Sequence, residues 1–239
     1  MTTTTDSFEF EIHHEHRDVT GGWLRPTVFG MMDGLCSNLA LIAGVAGAHG
    51  STKAVTLAGL AGLVGGAFSM GTGEYTSVRS QNESMLAEID VERYELRHNA
   101  LAEQQELAEM YVQRGVDPEV AHAVSSQLLR DPDQALEIHV REELGVDPHD
   151  LPSPWTAAIS SFLSFTVGAA IPLLPYLLGI NALPAAAVLA LVALFVAGAV
   201  IARYTTRTWW YSGGRQLLFG LASAGVTYGI GHLLGAAVG

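Results

Sequence analysis

The chain has 239 residues, 49% of them hydrophobic, and a formal charge of −12 at pH 7. Twelve basic residues against 24 acidic ones give no reason to expect a nucleic-acid partner, and the single Cys36 excludes an internal disulfide framework. These averages suit a soluble domain as well as a membrane protein, so the distribution of charge along the chain decides between them.

Residues 1–24 form a polar N-terminal tail, with no apolar run after a basic start that would suggest a cleaved leader. Its His13-His14-Glu15-His16 cluster is either a solvated tail or a metal-capturing one. Pro26 to Thr52 then contains one charged residue, Asp33, and Ala54 to Gly73 contains none. Each stretch supplies the ~20 apolar residues that cross a bilayer's hydrocarbon core, which predicts spans over 27–48 and 54–78 within a first membrane unit, 25–79. An ionisable residue inside a span is costly, so Asp33 is a candidate pathway or proton-relay residue. Met70 lies one turn before Glu74. The methionine is either core packing or a soft ligand, and the glutamate either reaches the headgroups or handles metal.

The segment 80–150 holds seventeen Asp and Glu against five Arg, so the acidity of the whole chain is local to it. Leu86, Ile89, Tyr94, Leu96, Leu101 and Leu107 recur at helical spacing. Gly115 ends a first helix continuous with the second span, Asp117-Pro118 starts a second, Asp131-Pro132 starts a third and Gly145 ends it. At 100° per residue Glu88, Glu92, Glu95, Asn99, Glu103 and Glu106 form one stripe. A solvated face and a row of cation sites both explain such a stripe. Arg93 and Arg97 point off it, so it repels itself unless cations bind. The third helix adds Glu137, His139, Glu142 and Glu143. Carboxylate oxygens with an imidazole suit Mg²⁺, Mn²⁺ or Fe²⁺, and the stripe covers about 27 Å at ~1.5 Å per residue, too long for one ion, which predicts several sites or sites shared with another helix or subunit.

The last unit, 151–239, is free of charge from Trp155 to Ala202 and again from Gln216. A turn signal at Gly179 to Pro184 divides the first block, giving spans over 155–178, 184–203 and 216–237. Pro172 and Pro175 are expected to kink the third span. The fold class is therefore all-α: a polytopic membrane protein of five helices with a three-helix insert between the second and third. Eleven of the twelve basic residues fall on one side if the N-terminus is inside, and all four tryptophans lie at that side's span ends. The insert and N-terminus are then cytoplasmic and the C-terminus outside. Eleven arginines against one lysine, with much Ala and Gly, suggest a GC-rich bacterial genome and hence a plasma membrane. Gly30/Gly34, Gly62/Gly66 and Gly225/Gly229 are small-residue pairs that permit close helix packing or dimerisation.

Met32-Asp33-Gly34-Leu35, Ser69-Met70-Gly71 with Glu74-Tyr75, the glutamate series, Glu143-Leu144-Gly145 and Ile171-Pro172-Leu173-Leu174-Pro175-Tyr176 together resemble the vacuolar iron transporter family. The likeness covers nearly all the chain after Arg17. It implies five spans, a cytoplasmic metal-binding domain after the second, and a homodimer with the ion path between subunits. Asp33 and Met70 match the family's pathway residues, and Glu92, Glu95, Glu103, Glu106 and Glu143 its metal-binding carboxylates. The resemblance further implies export of Fe²⁺ or Mn²⁺ from the cytosol in exchange for protons, with the ion as cargo and no permanently bound cofactor. Where plant members carry a methionine pair before the last glutamate, this chain has His139 and Val140, a harder donor that keeps Mn²⁺ in contention.

Two other functions compete. Glu95-x-x-His98 and Glu119-x-x-His122 have the spacing of di-iron carboxylate sites, which would make a membrane-anchored ferroxidase, although such sites need four long facing helices. A non-transporting metal sensor would use the same acidic segment. No phosphate-binding glycine loop followed by lysine is present, which argues against an ATP-driven pump within this chain.

Overall fold

The computed structural model describes residues 22–180 and 182–238; the His13–His16 cluster and Asn181 of the turn signal lie outside them. The described residues contain helices and connections without a strand. Five helices are long and apolar enough to cross a membrane. They are α1 (Leu24–Gly47), α2 (Thr52–His98), α6 (Pro154–Leu177), α7 (Leu183–Ile201) and α8 (Trp209–Val238). Between α2 and α6 lie α3 (Ala100–Gln113), α4 (Pro118–Leu128) and α5 (Pro132–His139), the last running into a π-helical turn over Val140–Leu144.

Helix starts follow local chemistry. Ser51 caps α2 by accepting from the Ala54 N–H, Ser153 caps α6 through Thr156, and Asp117 and Asp131 cap α4 and α5 with Pro118 and Pro132 in the first turn. Gly145, at φ +67°, closes the π turn in the left-handed region that glycine adopts without a steric cost. The fifth span begins earlier than expected, so Trp209 to Arg215 form its first two turns rather than a loop.

α1 and α6 are the most buried spans and pack together through glycines. A Cβ on Gly34 would meet the Phe165 carbonyl, and one on Gly168 would meet that of Met31. Asn38 adds a buried interhelical hydrogen bond, its Nδ2 donating to the Ala169 carbonyl at 2.6 Å just ahead of Pro172. Apolar layers fill the rest: Ile42, Val55, Leu173, Tyr176 and Ala186 near one end, and Ala67, Phe165 and Ala169 further along. Gly62 is spent against Leu41 and Asn38, and Gly66 against the Phe165 ring, so two of the three small-residue pairs serve packing within the chain. Gly225 and Gly229 face open space.

α2 has 47 residues, roughly 70 Å at ~1.5 Å each, more than twice what a bilayer core requires. Its second half therefore projects beyond the span and carries the start of the acidic segment. Asn82 donates to the Pro152 carbonyl at 2.8 Å and Tyr75 packs on Trp155, tying this extension to the lead-in of α6. Ile89 on this extension is buried, as are Leu107, Ala108, Ala121, Ala135 and Val140 on the helices and turn that follow.

Candidate metal centre

The first helix of the acidic segment does not run unbroken to Gly115. Asn99, at φ −128° and ψ 31°, ends α2, and its carbonyl accepts from the Ala102 and Glu103 N–H groups at 2.8 and 3.2 Å to start α3. On one straight helix Glu92 and Glu103, eleven residues apart, would be separated by about 16 Å along the axis. In the structure their carboxylates belong to one cluster, so the break at Asn99 turns a row of charges into a pocket. α5 completes it with its last residue, His139.

One ligand atom each from Glu92, Glu103 and His139 lies within 4.8 Å of the others. His139 Nδ1 is 2.9 Å from Glu92 Oε1 and 3.6 Å from Glu103 Oε2. The imidazole is fully buried, and the two glutamates are 8% and 7% exposed. At 2.9 Å Nδ1 and Glu92 Oε1 stand at ion-pair distance, and beyond that contact Glu92 Oε1 and both imidazole nitrogens meet no hydrogen-bond partner. A buried polar atom left unpaired costs about 1–3 kcal/mol. Two acidic oxygens and an imidazole nitrogen converging in a buried site suit a divalent cation such as Fe²⁺ or Mn²⁺. The π turn after His139 lets consecutive residues, His139 and Val140, both be buried; such turns gather at functional positions.

Electrostatics agree with a cation-seeking pocket. Burial, then the charge of Glu92, pushes the Glu103 carboxyl up to about 7. Glu92 is held below its usual value by His139, against the effect of burial. Burial disfavours the charged imidazole of His139, yet Glu92, Glu103 and Glu143 together raise its value. Glu143 is raised by its own desolvation and by Glu92 and Glu106. Three carboxylates, Glu92, Glu103 and Glu143, act on one imidazole, and Glu106 adds to the charge around Glu103 and Glu143.

The other expected ligands separate by environment. Glu106 and Glu143 are exposed but close enough to perturb the cluster, so they stand at its mouth. Glu95 is engaged by the Asn99 amide. Glu142 is clamped by Arg114 and accepts from the Tyr111 hydroxyl at 3.4 Å, pinning the π turn to α3. Sequence reasoning missed this clamp and the helix break; an asparagine in the middle of the stripe was the available signal for the break. In the spans, Asp33 is half-buried in α1, Met70 packs beside Ala67, Phe165 and Ala169, and Glu74 has one buried oxygen, Oε2, without a partner. No cluster of three potential ligands joins Asp33 or Glu74 among the described residues.

The sequence model of the VIT family matches residues 24–232. The chain belongs to this family. It is 36% identical over 219 residues to the vacuolar iron transporter of Acanthamoeba castellanii, covering 90% of this chain and 79% of that protein. Vacuolar iron transporter 1 of Arabidopsis thaliana is 33% identical over 197 residues, covering 81% and 79%, and that of Oryza sativa subsp. japonica is 32% identical over 222 residues, covering 91% and 88%. In this VIT family chain the match runs through all five long helices and the Glu92–Glu103–His139 cluster.

Proposed function

We propose that this VIT family protein is a secondary transporter that takes Fe²⁺, Mn²⁺ or both from the cytosol and carries them across a bacterial plasma membrane in exchange for protons, serving iron and manganese homeostasis. The observation that carries the reading is the buried Glu92–Glu103–His139 cluster with its unpartnered ligand atoms, placed on the extension of a helix that begins as a span. The relatives' names, vacuolar iron transporter, support iron as cargo. The distribution of arginine supports a cytoplasmic acidic domain and an external C-terminus. Asp33, Met70 and Glu74 form the membrane route, Glu106 and Glu143 the entrance to the loading site. Metal arriving at the cluster displaces a proton from Glu103, whose carboxyl titrates near 7.

The protein acts as a homodimer. Supporting this, α2 exposes a ridge of small residues at i,i+4 spacing, Ala61, Gly65, Ser69, Gly73 and Ser77, and no atom lies within 4 Å of a Cβ placed on Gly65 or Gly73. A second α2 can approach there closely.

The ferroxidase reading finds no such support: His98 stacks on Tyr94 with its Nδ1 2.8 Å from the Tyr94 carbonyl, apart from the cluster. The test is flux into proteoliposomes of Fe²⁺, Mn²⁺, Zn²⁺ and Ca²⁺ under an imposed pH gradient. Selective movement of Fe²⁺ or Mn²⁺ that responds to the gradient is expected. Metal binding without flux would favour the sensor.

A further inference from the structure

A cavity of about 670 Å³ opens where α7 turns into α8. One wall is apolar, built from Phe195, Val196, Ala199 and Val200 at the end of α7. Trp209 closes it, its ring meeting Phe195 edge-on at 6.0 Å. Arg203 and Arg207 stand at the rim, both exposed, with Trp210 beside them. Neither arginine has an ion-pair partner among the described residues, and the chain from Leu151 to its end contains no Asp or Glu. Arg207 does lie 5.9 Å over the Tyr211 ring, which orients the guanidinium without neutralising it. In the acidic segment three of the five arginines are paired: Arg93 with Asp90, Arg114 with Glu142, and Arg141 with Glu137 and Asp147.

Position gives this combination its meaning. α7 and α8 are two of the five helices long and apolar enough to cross a membrane, so their junction lies where hydrocarbon meets headgroups. Trp209 and Trp210 are each 60% exposed, as amphipathic rings at that level are. Two cations without an ion-pair partner among the described residues, above an apolar groove, match one kind of molecule in both halves. We propose that this groove is a binding site for an anionic phospholipid, with the phosphate held by Arg203 and Arg207 and an acyl chain laid along Phe195, Val196, Ala199 and Val200. Arginine binds phosphate through paired N–H donors, and the apolar wall gives the chain a surface that bulk lipid does not. The site depends on membrane residence alone and not on which ion is moved.

The test uses the purified full-length protein in a zwitterionic detergent, with phosphatidylglycerol and phosphatidylcholine as probes. Phosphatidylglycerol is expected to raise the melting temperature and to remain bound in native mass spectra, and phosphatidylcholine to do neither at the same concentration. Charge near a membrane surface contributes a roughly fivefold preference per arginine, so Arg203→Gln with Arg207→Gln should weaken phosphatidylglycerol binding about twenty-fold. Phe195→Ala should weaken binding of phosphatidylglycerol but leave inorganic phosphate, a control for headgroup contacts alone, unchanged. Equal effects of the two lipids, or full binding by the double arginine variant, would overturn the proposal. So would lipid binding that emerges only when residues 1–21 are deleted, because the acidic tail would then be the groove's occupant.

Discussion

His139 Nδ1 and Glu92 Oε1 lie 2.9 Å apart in the buried interior of the acidic segment, at ion-pair distance. Glu103, 3.6 Å from the same nitrogen, brings a second carboxylate to it. The consequences can be measured.

Replacing His139 by Ala removes the sole nitrogen donor. Mn²⁺ affinity measured by titration calorimetry on the purified protein should fall at least about tenfold, the lower limit seen for supporting groups around metal ligands. Unchanged affinity would place the ion elsewhere.

Acidity should act on the same centre in two directions. Binding of Mn²⁺ needs an ionised Glu103, so affinity should climb as pH rises through about 7. Without metal the sign reverses. The folded state holds a Glu103 proton that the unfolded chain releases near the ordinary 4.5, so this contribution to stability is complete below 4.5 and is lost as pH approaches 7. Raised values at His139 and Glu143 act the same way, and the lowered Glu92 opposes them only at the acid end. Melting curves at pH 5 and 7.5 should show the metal-free protein less stabilised by this cluster at the higher pH, with Mn²⁺ reversing the difference. In Glu103→Gln the change with pH should shrink.

Glu142 belongs to a clamp. Glu142→Gln breaks the Arg114 ion pair but retains an acceptor for Tyr111, so it should cost no more than about 1 kcal/mol and leave Mn²⁺ affinity within roughly threefold. A loss comparable with that of His139→Ala would make Glu142 a ligand.

The ridge on α2 gives the proposed dimer a target. Gly65→Leu and Gly73→Leu put bulk where the chain itself has nothing to meet. Single-molecule photobleaching in liposomes should change from two steps to one, while the helical content of each monomer stays the same.

The five long helices were legible because each contains a stretch of spanning length with at most one charged residue, and Trp155 to Ala202 resolves into α6 and α7 at its turn signal. Asp117-Pro118, Asp131-Pro132 and Gly145 likewise fall at the ends they announce. The metal centre was legible only as a list of ligands. Helical periodicity reads one element at a time, and it spread Glu92 to Glu106 along a straight stripe with room for several ions. Bringing Glu92, Glu103 and His139 together takes a break at Asn99 and a fold across three elements, which depend on tertiary packing. Likewise, the small-residue pairs were visible but not their use: the Gly62/Gly66 pair packs inside the chain, and the open ridge is one register away at Gly65 and Ser69.

The central claim, that metal passes from the acidic centre through the spans, is tested most directly by Mn²⁺ flux into proteoliposomes for the wild type, Asp33→Ala and Met70→Ala, with protein incorporation matched. Flux in the wild type and its loss in Asp33→Ala, with a marked reduction in Met70→Ala, is the result expected. Flux at the wild-type rate in both variants would contradict the proposed route.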